Sequence, residues 1–224
     1  MASLNMLISE LAHSVQQADS VPVRRALRLS IIHSRNEMIR RSHDSNKVTD
    51  KVLQQRFRLS LTDVPDGDVA ITQGLGLCKV KRTTVKVPRP VRLTNNLPFH
   101  SVRTIGSVHN KEIPFVKEAS SQFYKDLPGM SNLPDYDYIN EYIYIKIKNS
   151  KQVVSLKDII VESVFEQPQL IQTETIEGLA SVDDDDEFLL PEDMINGIKK
   201  MVLETFNPNV VRQTNEIPTP NLVK

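Results

Sequence analysis

The sequence predicts an α+β protein with an N-terminal helical bundle, an inserted antiparallel β domain, a C-terminal amphipathic helix and an extended tail. Three observations carry this prediction. Apolar residues recur at helical spacing through the first third of the chain. Helical periodicity then gives way to short alternating runs broken by prolines, as far as about residue 167. One helix-period segment returns after an acidic run. The boundaries follow these changes: 1–62 for the helical part, 63–168 for the Pro-rich β domain, 169–190 for an acidic linker, 191–207 for a helix packing back on the helical part, and 208–224 for the tail.

Residues 4–17 read as a short helix with Leu4, Leu7, Ile8, Leu11 and Val15 on one face. Asp19, Ser20 and Val21 break it, and Pro22 suits the first turn of a second helix reaching about Ser42. There Val23, Leu27, Ile31 and Met38 form one apolar strip, and Leu29, Ile32 and Ile39 form another. Arg24, Arg28 and Arg35 line up between the strips near Ile31. A helix apolar on two sides has neighbours on two sides, and one neighbour can be another subunit. Asp44, Ser45 and Asn46 offer cap chemistry for a third helix over residues 47–61, with Val48, Val52, Leu53, Arg56, Phe57 and Leu59 on its face.

Residues 77–87 alternate and are rich in β-branched side chains, so they read as a strand that Pro88 and Pro90 end or place at a sheet edge. The stretch 97–134, with four prolines, reads mainly as loops, with a helical turn or two at 118–125. The clearest strand is 142–148: Ile143, Ile145 and Ile147 point one way, Tyr142, Tyr144, Lys146 and Lys148 the other. Residues 153–156 and 159–165 return as strands. The last helix carries Pro191, Glu192 and Asp193 in its first turn and Lys199 and Lys200 further on, an order that complements the helix dipole.

A formal net charge of zero conceals a dipolar chain. Between Val21 and Ser60 there are ten basic residues against three acidic ones, and between Asp158 and Asp193 twelve acidic residues and no Lys or Arg. Such a chain pairs with itself head to tail, or meets a partner at each end. One cysteine, Cys78, excludes an internal disulfide framework and reads as packing. The first residues have neither a basic segment nor a long apolar run, so export by a signal peptide is not expected. No run of eighteen apolar residues occurs, and no membrane partner is expected.

Catalytic chemistry is not visible. The five histidines, His13, His33, His43, His100 and His109, lack metal-ligand spacing, and Gly74, Leu75 and Gly76 lack the rest of a phosphate loop. The acidic run from Asp183 to Glu187 lacks the alternation and glycine of a calcium loop and reads as a solvated linker. No catalytic residue, metal site or cofactor is therefore expected, and the chain is not read as an enzyme. The basic helix has two readings: phosphate contact with DNA, or pairing with acidic segments of a neighbouring subunit. The second reading is favoured.

Phe165, Glu166, Gln167 and Pro168 close the β-rich stretch, and Leu190, Pro191, Glu192, Asp193, Met194 and Ile195 open the last helix. In these motifs and their order the chain resembles structural head-to-tail connector proteins (ring, adaptor or neck) of tailed phages, closest to those of crAss-like phages. Gln167 stands where that signature has an acidic residue. The resemblance implies a virion protein made in the host cytoplasm, a homo-oligomeric ring of about a dozen copies below the portal. Its partners would be the portal, other connector or tail proteins and passing double-stranded DNA during genome ejection. On that reading Arg24, Arg28, Arg35, Ile31 and Met38 lie at a subunit interface or face the DNA channel. Met194, Ile198, Met201 and Val202 dock the last helix on the subunit's own helices or on the ring below. Ile217, Pro218 and Pro220 reach a neighbour. The competing reading is a non-enzymatic DNA-binding accessory protein acting through its basic N-terminal region, against which stands the lack of a recognition-helix motif.

Overall fold

The computed structural model describes residues 3–65, 67–68, 79–93, 97–105, 111–116, 134–147, 156–175, 178–181 and 183–206. The chain divides into two compact units, Met1–Val48 with Asp183–Lys224, and Thr49–Val182. It is α+β: N-terminal helices, a curled antiparallel sheet of six strands, and a C-terminal helix.

The helical unit is built from α1 (Leu4–Ser14), α2 (Val21–Asn46) and α3 (Glu192–Phe206). Ser3 caps α1, its hydroxyl accepting from the Met6 N–H at 3.2 Å and satisfying a donor that the first turn leaves open. Pro22 sits in the first turn of α2. That helix runs four residues past the expected Ser42 and ends where Lys47 turns left-handed at φ 57°. Leu4, Leu7, Ile8 and Leu11 of α1 meet Leu27 and Ile31 of α2, and Met194, Ile198 and Val202 of α3, in one apolar cluster that Phe188 and Leu190 complete. Each fully buried aliphatic side chain there contributes roughly 1.5–3 kcal/mol. The second strip expected on α2 divides: Ile32 and Ile39 are buried, whereas Leu29 is exposed.

The acidic run is not a freely solvated linker. The Asp186 N–H donates to the Asp183 carbonyl, the Asp186 carboxylate accepts from the Asp183 N–H at 2.8 Å, and the Asn5 N–H donates to the Asp184 carbonyl at 3.2 Å. It is a turn fastened to α1.

The β unit holds β1 (Gln55–Asp63), β2 (Lys79–Thr83), β3 (Ser101–Thr104), β4 (Asp135–Ile139), β5 (Tyr142–Ile147) and β6 (Asp158–Ser163), in the antiparallel order β3-β6-β1-β2-β5-β4. The third helix expected over 47–61 is a single 3-10 turn, Lys51–Leu53, followed by β1. The Asp50 carboxylate caps this turn by accepting from the Val52 N–H at 3.0 Å. The period of two in Arg56, Phe57, Arg58 and Leu59 prevails: Phe57 and Leu59 enter the core while Arg56 and Arg58 stay outside, in register with Glu162 and Ile160 of β6. A second departure lies in the expected linker, where β7 (Gln172–Thr175) and β8 (Gly178–Ser181) form a hairpin. The readings of a helical turn at 118–125 and of Cys78 as a packed residue lie outside the described residues, as do residues 153–155 of an expected strand.

Both outer strands of the sheet are occupied. On β3, the Ile113 N–H donates to the Val102 carbonyl at 2.8 Å and the Thr104 N–H to the Lys111 carbonyl at 3.1 Å. On β4, the Tyr136 N–H donates to the Pro114 carbonyl at 3.0 Å and the Val116 N–H to the Tyr136 carbonyl at 3.1 Å. Residues 111–116 thus join the two outer strands and close the curl, which removes the open edges that invite association. The Pro-rich stretch read as loop supplies this closing segment and β3. Inside lie Phe57, Leu59, Ile143, Ile145, Ile147, Ile159 and Val161. Phe165 of the Phe-Glu-Gln-Pro motif is fully buried among them, its ring 5.3 Å from Phe57 and 6.3 Å from Phe99. The motif is therefore a plug for the β core, and its next two residues turn outward to a groove.

Candidate assembly surface

Helix α2 positions most of the side chains singled out from the sequence, and it directs them inward. Arg24 donates to the Ser9 hydroxyl at 3.0 Å and to the Ala18 carbonyl at 3.4 Å. Arg28 forms an ion pair with Asp184 at 2.8 Å, its side chain 45% exposed. Arg35 is 0% exposed. Its Nε donates to the Leu189 carbonyl and its Nη1 to Asn36 Oδ1, both at 3.2 Å, and the guanidinium lies 5.6 Å from the Phe188 ring centre. Burial pulls its pKa down to about 10, so it keeps its charge at neutral pH. Ile31 is fully buried, and Met38 is half-buried against the same cluster. In the subunit, then, Arg35 and Ile31 are interior residues with no surface to offer a neighbour or a DNA channel. Arg24 and Arg28 mainly fasten the helical unit to itself.

Met194, Ile198 and Val202 are buried against α1 and α2, and Met201 is half-buried. Ile217, Pro218 and Pro220 lie outside the described residues.

Sequence reasoning put Leu29 on a second apolar strip of α2 but missed Val21 and Arg25 beside it. Val21 is 59% exposed and Leu29 65%. Arg25 stands one helical turn from each, exposed and without an ion pair among the described residues. Spacing of four residues places the three on one stripe. The signal was available in the spacing of four residues that joins Val21, Arg25 and Leu29.

A second surface lies in the β unit. Val85, Lys86, Val87, Pro88 and Arg89 line a groove of about 570 Å³ together with Glu141, Glu166, Gln167 and Leu170. Lys86 and Arg89 approach the Glu141 carboxylate at 3.6 and 3.4 Å, and Leu170 is 56% exposed at the rim. Glu141 is held there by a two-residue turn between β4 and β5 in which Asn140 and Glu141 both take positive φ, 52° and 68°. The groove carries no acid beside a histidine and no nucleophile with a base. Among the described residues no group of three or more His, Cys, Asp or Glu side chains is placed to hold a metal ion.

The buried polar groups of the β unit are structural. Arg82 pairs with Asp68 at 2.6 Å and lies 4.7 Å from the Tyr142 ring centre, and the Tyr144 hydroxyl donates to Asp68 at 3.0 Å. Lys146 and Asp137, both buried, stand 3.9 Å apart. No helix among the described residues is long and apolar enough to cross a membrane.

Two compact units, one with a basic helix bearing an exposed aliphatic stripe and one with a groove of mixed charge, are the features of an assembly protein. A comparison with protein families makes this specific: the model of phage tail ring protein 2 of crAss-like phages matches residues 5–221. The chain belongs to that family. It is a structural, non-enzymatic component of the virion, and as a ring protein it is a homo-oligomer. No curated protein matches it significantly.

Proposed function

We propose that this ring lies in the head-to-tail connector below the portal, encircles the DNA channel, and contains about a dozen copies joined by heterologous contacts. It passes the genome during ejection, with the portal and other connector or tail proteins as its neighbours. The observation that carries this reading is the ring family's match to nearly the whole chain. The exposed stripe of Val21, Arg25 and Leu29 supports it, because a ring subunit needs a face that its own core does not cover. Arg24, Arg28 and Arg35, half of the six arginines of α2, are engaged by groups of the subunit itself, which speaks against free DNA binding as the main role.

The test is a copy count in purified particles after nuclease digestion and a high-salt wash, with imaging of the portal vertex. Retention of about a dozen copies per particle as a ring beneath the portal is the expected result. Loss in the wash, or a ring elsewhere on the tail, would overturn this placement.

A further inference from the structure

The groove of the β unit is lined on one side by extended backbone rather than by a regular strand. Along it the Thr84 N–H donates to the Ser60 carbonyl and the Val87 N–H to the Glu141 carbonyl, so the chain bonds inward at these points. The N–H groups of Lys86 and Arg89 have no backbone partner among the described residues. Both outer strands of the sheet are covered by residues 111–116, so the groove is where an incoming extended segment finds unused donors. Its lining includes Val85 and the exposed Leu170, with Lys86 and Arg89 near the Glu141 carboxylate and Glu166 beside Arg89, whose carbonyl accepts from the Glu166 N–H at 2.9 Å.

We propose that this groove receives the C-terminal segment, residues 208–224, of a second copy in the ring. The match is chemical. Glu216, Ile217, Pro218, Thr219, Pro220, Asn221, Leu222, Val223 and Lys224 place an acid, a run of aliphatic and proline residues, and a base in that order. Glu216 complements Lys86 and Arg89, and Ile217 and Leu222 complement Val85 and Leu170. Proline offers a carbonyl but no N–H, which suits a wall whose unused groups are donors. Each proline also fixes its own φ, so less conformational freedom is lost when the segment binds. The inference rests on the ring reading, which brings a second copy within reach.

The experiment uses the full chain with a photo-crosslinking phenylalanine analogue in place of Ile217. Assembly proceeds from a mixture of isotopically light and heavy protein, and mass photometry scores the rings before irradiation. Crosslinks should join light to heavy chains and map to residues 85–89 and 166–170. Leu170→Glu should lower their yield about tenfold while circular dichroism stays unchanged. Rings that form with crosslinks elsewhere, or only within one chain, would overturn the proposal and leave the ring reading standing. Failure of the unmodified protein to form rings under the same conditions, with no crosslinks between chains, would overturn both.

Discussion

Arg35 Nε donates a hydrogen bond to the main-chain carbonyl of Leu189 at 3.2 Å, across more than 150 residues of sequence, and so ties the segment leading into α3 to the middle of α2. The same guanidinium reaches Asn36 and lies over Phe188. A basic helix that looks made for a partner thus uses its most central cation to hold its own chain. An arginine fork suits this position because it serves two oxygens in fixed directions, which a lysine cannot.

Removing that fork should be costly. Arg35→Met keeps the length and leaves the Leu189 carbonyl and Asn36 Oδ1 without these donors, a loss of about 1–3 kcal/mol. Relief of the buried charge, which pulls the pKa of Arg35 down to about 10, offsets part of this. Arg28→Ala removes an ion pair whose arginine is 45% exposed and should cost less than about 1 kcal/mol. Urea midpoints of the two variants decide the matter. An Arg28 loss equal to that of Arg35 would contradict the assignment.

Gly197 explains a residue of the α3 motif that sequence spacing left silent. A Cβ built there would stand 2.7 Å from Met38 Cε and 3.2 Å from its Sδ, so α3 crosses α2 at a point with no room for a side chain. The obstacle is the flexible end of a methionine, which can move. Gly197→Ala should therefore change stability by less than about 1 kcal/mol, the better helix propensity balancing the shift of Met38. Gly197→Leu should lose about 1–3 kcal/mol through overpacking. Combining Gly197→Ala with Met38→Ala should reveal a coupling of about 1 kcal/mol in a double-mutant cycle. Additivity of the two changes would refute the contact.

How much of this was legible in the sequence depended on whether one face decides the element. The period of α1 and α3 is set by one buried side, and Ile143, Ile145 and Ile147 declare β5 by strict alternation. Residues 47–61 misled because Val48, Val52, Leu53 and Phe57 fit a helical spacing as well as an apolar flank of a strand. Only the pairing of Arg56 and Glu162 across β1 and β6 resolves them. β4 gave no signal, since Asp135 and Asp137 are acids buried in a strand, against the usual depletion of Asp there. The arginines of α2 were expected at a subunit interface or a DNA channel, whereas within the subunit Arg28 pairs with Asp184 and Arg35 donates to the Leu189 carbonyl of the same chain. Local sequence cannot say which copy supplies a partner so distant in the chain.

The β unit should lose stability in alkali. Burial, with Glu112 second, raises the Tyr136 phenol well above its ordinary value, and burial with Glu141 pushes Tyr138 up to about 12. In the unfolded chain both phenols ionise near pH 10 or so, while the folded unit keeps their protons. Their contribution is complete below that pH; that of Tyr138 is lost as the pH rises through about 12, and that of Tyr136 at higher pH still. Arg35 in the helical unit acts with the opposite sign. Its folded pKa of about 10 lies below the ordinary 12.5, so its deprotonation favours the folded state between those values. Near-ultraviolet circular dichroism of the tyrosines, followed against pH, should show the loss. Replacing Tyr136 and Tyr138 with Phe should flatten it, and parallel profiles would refute the assignment.

The outward stripe of α2 makes the sharpest prediction about assembly. Val21 and Leu29 leave most of their side chains in water, and Arg25 between them has no ion-pair partner among the described residues. Neither Arg25 nor Leu29 belongs to the apolar cluster of the helical unit, so Arg25→Glu combined with Leu29→Asp should leave the thermal midpoint of the subunit nearly unchanged, within about 0.5 kcal/mol per site. At an interface the same pair replaces an aliphatic anchor by a charge and reverses a cation. Subunit affinity should then fall about a hundredfold or more, and rings should give way to monomers in mass photometry. Arg28→Ala, whose partner is the subunit's own Asp184, should leave the rings intact. Rings that survive the double change would move the subunit contact away from α2 altogether, to the groove and the surfaces of the β unit.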